Sequence, residues 1–289
     1  MFSQYFGNYL LNKGLITPEQ LKEGLSLEKS LKVKLGILAM SYGFMTGGQV
    51  AHVHSQQAKL DKKFGEIAVQ LGYLTDRQLE ELLASQKYGH LLLGQALVDT
   101  GCLSLPDLQM ALEEYKKNYS LGDEELLSLQ RGEVEQFVTT FLKIEHTVYK
   151  NYITLLIKNI IRFIDSSPQV DSYSVQECYH ARWLTFQKIK GEINLYTALA
   201  ADTEVFLQMA GKFAGENFNE LTELARASLG EFLNLHNGIF LVNMSDQGLE
   251  LEMKPQMFCG DHKITGLEKG YIVPIRLSFG KLDLILIMD

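Results

Sequence analysis

The sequence predicts an α plus α+β fold class. A helical-hairpin repeat domain is expected over residues 1–118, and an α+β domain, with an antiparallel sheet and helices on one face, over residues 119–289. Three observations predict it. Glycines return on a fixed step through the first part. Apolar residues between Val134 and Ile164 keep helical spacing. Beyond Pro168 the pattern changes to short runs rich in β-branched and aromatic residues, interrupted by turn signals and two helical stretches.

Gly7, Gly36, Gly65 and Gly94 stand 29 residues apart, and Gly14, Gly43, Gly72 and Gly101 keep the same step. Ile16, Met45, Leu74 and Leu103 follow in register, each before Thr17, Thr46, Thr75 or Ser104. Then come Leu21, Val50, Leu79 and Leu108, and Leu25, His54, Leu83 and Leu112. One unit reads as two helices. Phe64, Ile67, Ala68 and Leu71 form an apolar stripe. Gly72 suits a left-handed helix end, and Thr75 suits the cap of the next helix. Such hairpins bury little alone and are expected to stack, with the first unit capping the stack.

The polar stretch around Gly122 and Gly132 reads as a junction, and a helical lead-in is expected over about residues 123–165. "SYSVQECYHARWLTFQKIKGEINLYTALA" reads as strands with a turn at Lys190-Gly191. One helix is expected near Asp202 to Phe213 and a second from Phe218 to about Asn237, with Asn219 at a helix start. "GIFLVNM", "LELEMKPQMF", "KGYIVPIRLSF" and "KLDLILIM" read as strands, with turns at Asp246 to Gly248, at Gly260-Asp261 and at Gly280.

Composition narrows the function classes. The net charge of -8 argues against nucleic-acid binding, which wants a basic face. "YITLLIKNIIRFI" is broken by Lys158 and Arg162, so no membrane span is expected, and the start lacks a leader pattern. Cys102, Cys178 and Cys259 form no CxxC pair, which suits free, mostly buried thiols and a cytoplasmic location. P-loop, HExxH, GxSxG and GxGxxG patterns are absent. His52 and His54 lie two apart on one helix, on different faces, and read as ordinary residues rather than metal ligands.

Units two and three carry Lys34-Leu35-Gly36 and Lys63-Phe64-Gly65, with Gln57 and Gln86 each 21 residues after the glycine. The outer units have Tyr5 and Leu92, and Glu28 and Tyr115, at those places. The inner pair resembles the tandem motif of the MshEN-type domain of type II secretion and pilus ATPases, with lysine where that motif has arginine. The resemblance implies a cyclic di-GMP site. Lys34, Leu35, Gly36, Gly43, Val50, His54 and Gln57 would form one half, and Lys63, Phe64, Gly65, Gly72, Leu79, Leu83 and Gln86 the other.

In "ASLGEFLNLHNGIF", Glu231 and Asn234 lie three apart on a helix and project from one face. A surface Glu and Asn on an amphipathic helix are common, and Glu216-Asn217-Phe218-Asn219 repeats the spacing. Residues from about Ser172 onward, however, resemble the chemotaxis phosphatases CheX, CheC and FliY. Gly230, Glu231, Asn234 and Gly238 match the family's helix motif, and one such pair is present, as in CheX. The resemblance implies a phosphatase acting on the aspartyl phosphate of a phosphorylated CheY-like response regulator. Asn234 would hold the attacking water, and Glu231 would pair with the regulator's lysine. It implies no cofactor of this chain's own, Mg²⁺ belonging to the regulator, and a homodimer. Two other readings stay open: a non-catalytic regulator-binding scaffold, and a cyclic di-GMP receptor with a CheX-like output domain.

Overall fold

The structure is a computed structural model that describes residues 2–27, 34–57, 62–85, 92–265 and 270–288. It divides into two compact units, Met1–Gln136 and Phe137–Asp289.

The first unit is four helical hairpins and an added helix. The hairpins are α1 (Phe2–Asn12) with α2 (Pro18–Leu27), α3 (Leu35–Ser41) with α4 (Gly47–Gln57), α5 (Phe64–Gln70) with α6 (Asp76–Ser85), and α7 (Leu92–Asp99) with α8 (Leu105–Asn118). The two glycine series do different work. Gly14, Gly43, Gly72 and Gly101 are left-handed, with φ of 68° to 73°, and end each first helix. At Gly14 and Leu15 the amides reach back to Leu11 and Leu10 carbonyls, which closes the helix end. Gly7, Gly36, Gly65 and Gly94 are sites of close approach. A Cβ there would run into Leu21, Val50, Leu79 or Leu108, each 14 residues on, in the second helix of the same hairpin.

Each second helix starts with a reciprocal cap. Gln20, Gln49, Gln78 and Asp107 amides donate to the side chains of Thr17, Thr46, Thr75 and Ser104. The Gln or Asp side chain then accepts from the cap residue's own N–H.

The first hairpin does not end an open row as the repeat pattern suggests. α1 and α2 pack against α7 of the fourth hairpin. The rings of Phe2, Phe6 and Tyr9 meet the fully buried Tyr115 edge-on at 5.9, 5.4 and 5.1 Å. A tyrosine at that position, where the inner units have glutamine, supplies the apolar area that joins first to last.

A ninth helix, α9 (Asp123–Gln130), stays with the repeats, so the unit boundary falls later than the expected residue 118. Leu126 and Leu129 are buried, and Ser41 Oγ donates to Gln130 Oε1 at 2.5 Å. Gly132 is left-handed (φ 76°), and the Gly132 and Glu133 amides repeat the hairpin's helix-end pattern. α9 is thus a fifth first helix whose glycine has slipped off the 29-residue step.

The short α10 (Val134–Phe137) crosses the boundary along the chain, and the second unit continues with a π-helical turn (Val138–Leu142) and α11 (Thr147–Phe163). The helical region expected between Val134 and Ile164 is interrupted where Lys143 turns left-handed (φ 51°). Seven strands follow: β1 (Gln169–Val170), β2 (Cys178–Gly191), β3 (Leu195–Ala201), β4 (Leu251–Met253), β5 (Met257–Thr265), β6 (Gly270–Leu277) and β7 (Gly280–Met288). They form one antiparallel sheet in the order β1-β6-β7-β3-β2-β4, with β5 also on β2.

β4 and β5 run along the same edge of β2. Ile189 pairs Met253 and Phe186 pairs Met257, so one residue is bulged out around Pro255, which has no N–H to give the ladder. The expected turn at Gly260-Asp261 is instead a kink inside β5. Asp261 is left-handed (φ 45°), yet pairing continues on both sides, Trp183 to Gly260 and Ala181 to His262.

Between β3 and β4 lie α12 (Thr203–Ala214) and α13 (Glu223–Ser245). α13 starts at Thr222, whose Oγ1 accepts from the Ala225 amide; Asn219 lies before the helix and does not cap it. α13 also absorbs "GIFLVNM", expected as a strand. Phe240 and Met244 continue the buried stripe of Phe232, Leu233, His236 and Asn237 at helical spacing. α11, α12 and α13 pack on one another, and α13 lies on β2. A separate apolar cluster of Leu184, Ala198, Ala200, Ile272 and Ile285 fills another part of the sheet. Among the described residues no helix is long and apolar enough to cross a membrane. The three cysteines are free, and Cys178, at the start of β2, is exposed rather than buried.

Candidate functional site

Glu231 and Asn234 stand on neighbouring turns of α13, one exposed and one half-buried. Glu231 is steadied from β5's approach: Gln256 Nε2 donates to its Oε1 at 3.0 Å. Gly230 makes room for that contact, since a Cβ there would come 3.0 Å from Gln256 Cγ. Gly238, the other glycine of the pattern, has ordinary space around it, with Met253 Cε 3.8 Å from a built Cβ.

Asn234 is held from beneath. Its Oδ1 accepts from Gln187 Nε2 at 2.9 Å, and the same nitrogen donates to the Lys254 carbonyl at 2.9 Å. Gln187 lies on β2, facing α13, and is 1% exposed. Its Oε1 accepts from Asn237 Nδ2 at 2.7 Å, which also donates to Thr197 Oγ1 at 3.0 Å. Asn237 Oδ1 accepts from the Tyr152 hydroxyl of α11 at 2.6 Å. Burial keeps that phenol protonated, well above its ordinary range. A continuous polar chain thus runs from α11 through α13 and β2 to Asn234.

His236 lies beside this chain, fully buried, with its ring edge-on to Tyr152 at 4.4 Å. Asn159 Nδ2 and His236 Nδ1 are hydrogen-bonded at 3.1 Å. Nε2 has no partner among the described residues. Burial pushes the imidazole down to about 3, so it is neutral at neutral pH.

The repeat residues gather around a different feature. An open cleft of about 730 Å³ lies between the second and third hairpins. Lys34, Leu35, Gly36, His54 and Gln57 line it from one side, and Lys63, Phe64, Gly65, Leu79 and Leu83 from the other. His54 packs against the Phe64 ring at 5.2 Å, and Lys34 Nζ binds Asp99 at 2.6 Å. Gly43 and Gly72 are not in the cleft lining; they make the hairpin turns. Val50 packs beneath it against Gly36, and Gln86 lies outside the described residues. No cluster of potential metal ligands occurs among the described residues.

No family model matches the sequence, and no curated protein matches it. Half of the chain is similar to solved CheX proteins. CheX of Desulfovibrio desulfuricans is 12% identical at a TM-score of 0.44, over 50% of this chain and 100% of that one. CheX of Vibrio vulnificus is 15% identical at 0.44, over 50% and 100%. A chain of the CheX–CheY–BeF3–Mg²⁺ complex from Borrelia burgdorferi is 13% identical at 0.43, over 49% and 97%.

The sequence singles out Glu231 and Asn234 as candidates; the structure adds Gln187, Gln256 and Tyr152 as hydrogen-bond partners around Glu231, Asn234 and Asn237. One signal was present. In "WLTFQKIK" the alternation puts Trp183, Thr185, Gln187 and Ile189 on one strand face. A glutamine on that face, between Thr185 and Ile189, asks for a buried partner.

Proposed function

We propose that the chain is a CheX-type phosphatase that hydrolyses the aspartyl phosphate of a CheY-like response regulator, with the helical-repeat unit as a sensory or docking module. The observation that supports it best is the Glu231/Asn234 pair: a carboxylate and a braced amide three residues apart on one helix, within the pattern Gly230-Glu231-x-x-Asn234.

The chemistry asks little of this chain. The regulator carries the phosphoaspartate, its Mg²⁺ and its lysine. Water oxygen bonds to phosphorus as the phosphorus–carboxylate bond breaks. Aspartate leaves as the free carboxylate, one water proton stays on phosphate and the other passes to solvent. Positioning of the water in line is the main contribution left. A neutral amide suits this task because it brings no negative charge to the phosphoryl group. Glu231 would hold the regulator's lysine and so fix the register of the helix against the phosphate. Incubation of a phosphorylated receiver with wild type and Asn234→Ala tests the reading. Equal decay in the presence and absence of wild type rejects hydrolysis and leaves the regulator-binding scaffold and the cyclic di-GMP receptor.

A second reading concerns the repeats. The cleft lined by matching halves, Lys34-Leu35-Gly36 and Lys63-Phe64-Gly65, favours a ligand of cyclic di-GMP type. Isothermal titration with cyclic di-GMP checks it: binding lost in Lys63→Ala supports it, and no heat with wild type rejects it. The homodimer is checked by light scattering, where a mass of one chain, 32.7 kDa, rejects it.

A further inference from the structure

We infer that Gln187 is a positioning residue that decides which end of the Asn234 amide faces solvent; the catalytic half of this inference rests on the phosphatase reading. An amide can be turned either way, so its direction must come from its neighbours. Here the neighbours leave one choice. The Lys254 carbonyl can only accept, so the end of Gln187 beside it is Nε2. The second hydrogen of Nε2 then needs an acceptor, and Asn234 supplies Oδ1.

The far end agrees. Gln187 Oε1 needs a donor and finds Asn237 Nδ2, whose own Oδ1 is fixed by the Tyr152 hydroxyl. Asn237's second hydrogen goes to Thr197 Oγ1, and Thr197 passes its hydrogen to the Gln187 main-chain carbonyl at 3.1 Å. Turning Asn234 over would set two donors against each other, and turning Gln187 with it would set Oε1 against the Lys254 carbonyl. Both cost far more in a buried site than at the surface.

The consequence is chemical. With Oδ1 turned inward, Asn234 presents its NH₂ group outward, and Nδ2 has no partner among the described residues. The outward end is therefore a donor, suited to a water oxygen or a phosphoryl oxygen and unsuited to another donor. Buried glutamine at the centre of a strand serves this purpose, since an apolar residue of the same size would fill the space at least as well.

The test uses the full chain with Gln187→Met, which keeps the volume and removes every side-chain hydrogen bond. The first readout needs no activity: the side-chain ¹⁵N–¹H₂ signal and order of Asn234 by nuclear magnetic resonance. A rigid amide in wild type that becomes mobile in the folded variant supports the inference; an amide equally rigid in both overturns it. The second readout is the rate on a receiver phosphorylated with acetyl phosphate. The rate at saturation should fall about 10- to 100-fold with KM nearly unchanged, as for groups that orient a reacting side chain. In an Asn234→Ala background the same substitution should change the rate by less than about 2-fold, because Gln187 acts through Asn234. Full additivity overturns the inference. A wild type without activity refutes the phosphatase reading and leaves the resonance readout to decide the role of Gln187. If Gln187→Met does not fold, Tyr152→Phe removes one hydroxyl at the far end of the chain, and the same two outcomes apply.

Discussion

Acid should destabilise the second unit through His236, and the size of the effect follows from its burial. The ring is fully buried, one nitrogen is hydrogen-bonded to Asn159, and among the described residues no carboxylate is bonded to it. Burial takes it from 6.5 in the unfolded chain to about 3 when folded. The unfolded chain therefore binds one more proton than the folded chain between those values. Stability from this group is complete above pH 6.5 and falls as pH drops towards 3. The slope is about 1.4 kcal/mol per pH unit, so the loss is roughly 2 kcal/mol at pH 5 and approaches about 5 kcal/mol at the acid end. Trp183, the chain's one tryptophan, lies in the second unit and reports its unfolding. Urea midpoints at pH 7, 6 and 5 would be compared for wild type and His236→Gln, which keeps an acceptor for Asn159 and cannot titrate. The stability difference between the two should shift by about 2 kcal/mol in favour of the variant from pH 7 to 5. Parallel pH curves for the two proteins would show that His236 does not couple folding to pH.

Other expectations are local. Gly72→Ala places a side chain at φ 71° and should lower first-unit stability by about 1 kcal/mol, whereas Gly48→Ala, where a built Cβ has ordinary space in α4, should raise it by about 0.5–1 kcal/mol; thermal melts by circular dichroism compare them. Burial pushes the Asp165 carboxyl up, but the Ser278 and Ser167 amides outweigh it and hold the group below the usual carboxylate range. Its contribution is thus present above about pH 4 and is lost on further acidification. Asp165→Ala should cost roughly 2 kcal/mol at pH 7, read by Trp183 fluorescence in urea.

The repeat was legible because its glycines answer to local geometry. Gly72 must be left-handed and Gly65 must let Leu79 approach, and both demands recur at a fixed distance along the chain. α9 falls in the expected helical lead-in, and its kinship with the repeats escaped notice because Gly132 meets the same demand off the step. "GIFLVNM" misled because Ile239, Phe240 and Val242 favour strands locally, while the buried spacing of Phe240 and Met244 carries α13 through them. The break at Lys143 had no local signal, since a left-handed lysine is set by packing on either side. The candidate site divides the same way. Glu231 and Asn234 share one helix, and their spacing is visible in the string. Gln187, Asn237 and Tyr152 meet from three elements, 50 and 85 residues apart, through orientations that a sequence pattern does not encode.

Asn234 on α13 is proposed to promote hydrolysis of an aspartyl phosphate. The direct measurement is single-turnover decay of radiolabelled phosphoaspartate on CheY-like receivers with Mg²⁺, with and without the full chain. Wild type is expected to accelerate decay of its receiver, and Asn234→Ala, still folded by its Trp183 transition, to lose on the order of 10²-fold of that acceleration. Acceleration that survives Asn234→Ala unchanged, or decay that wild type leaves untouched across the receivers, would contradict it.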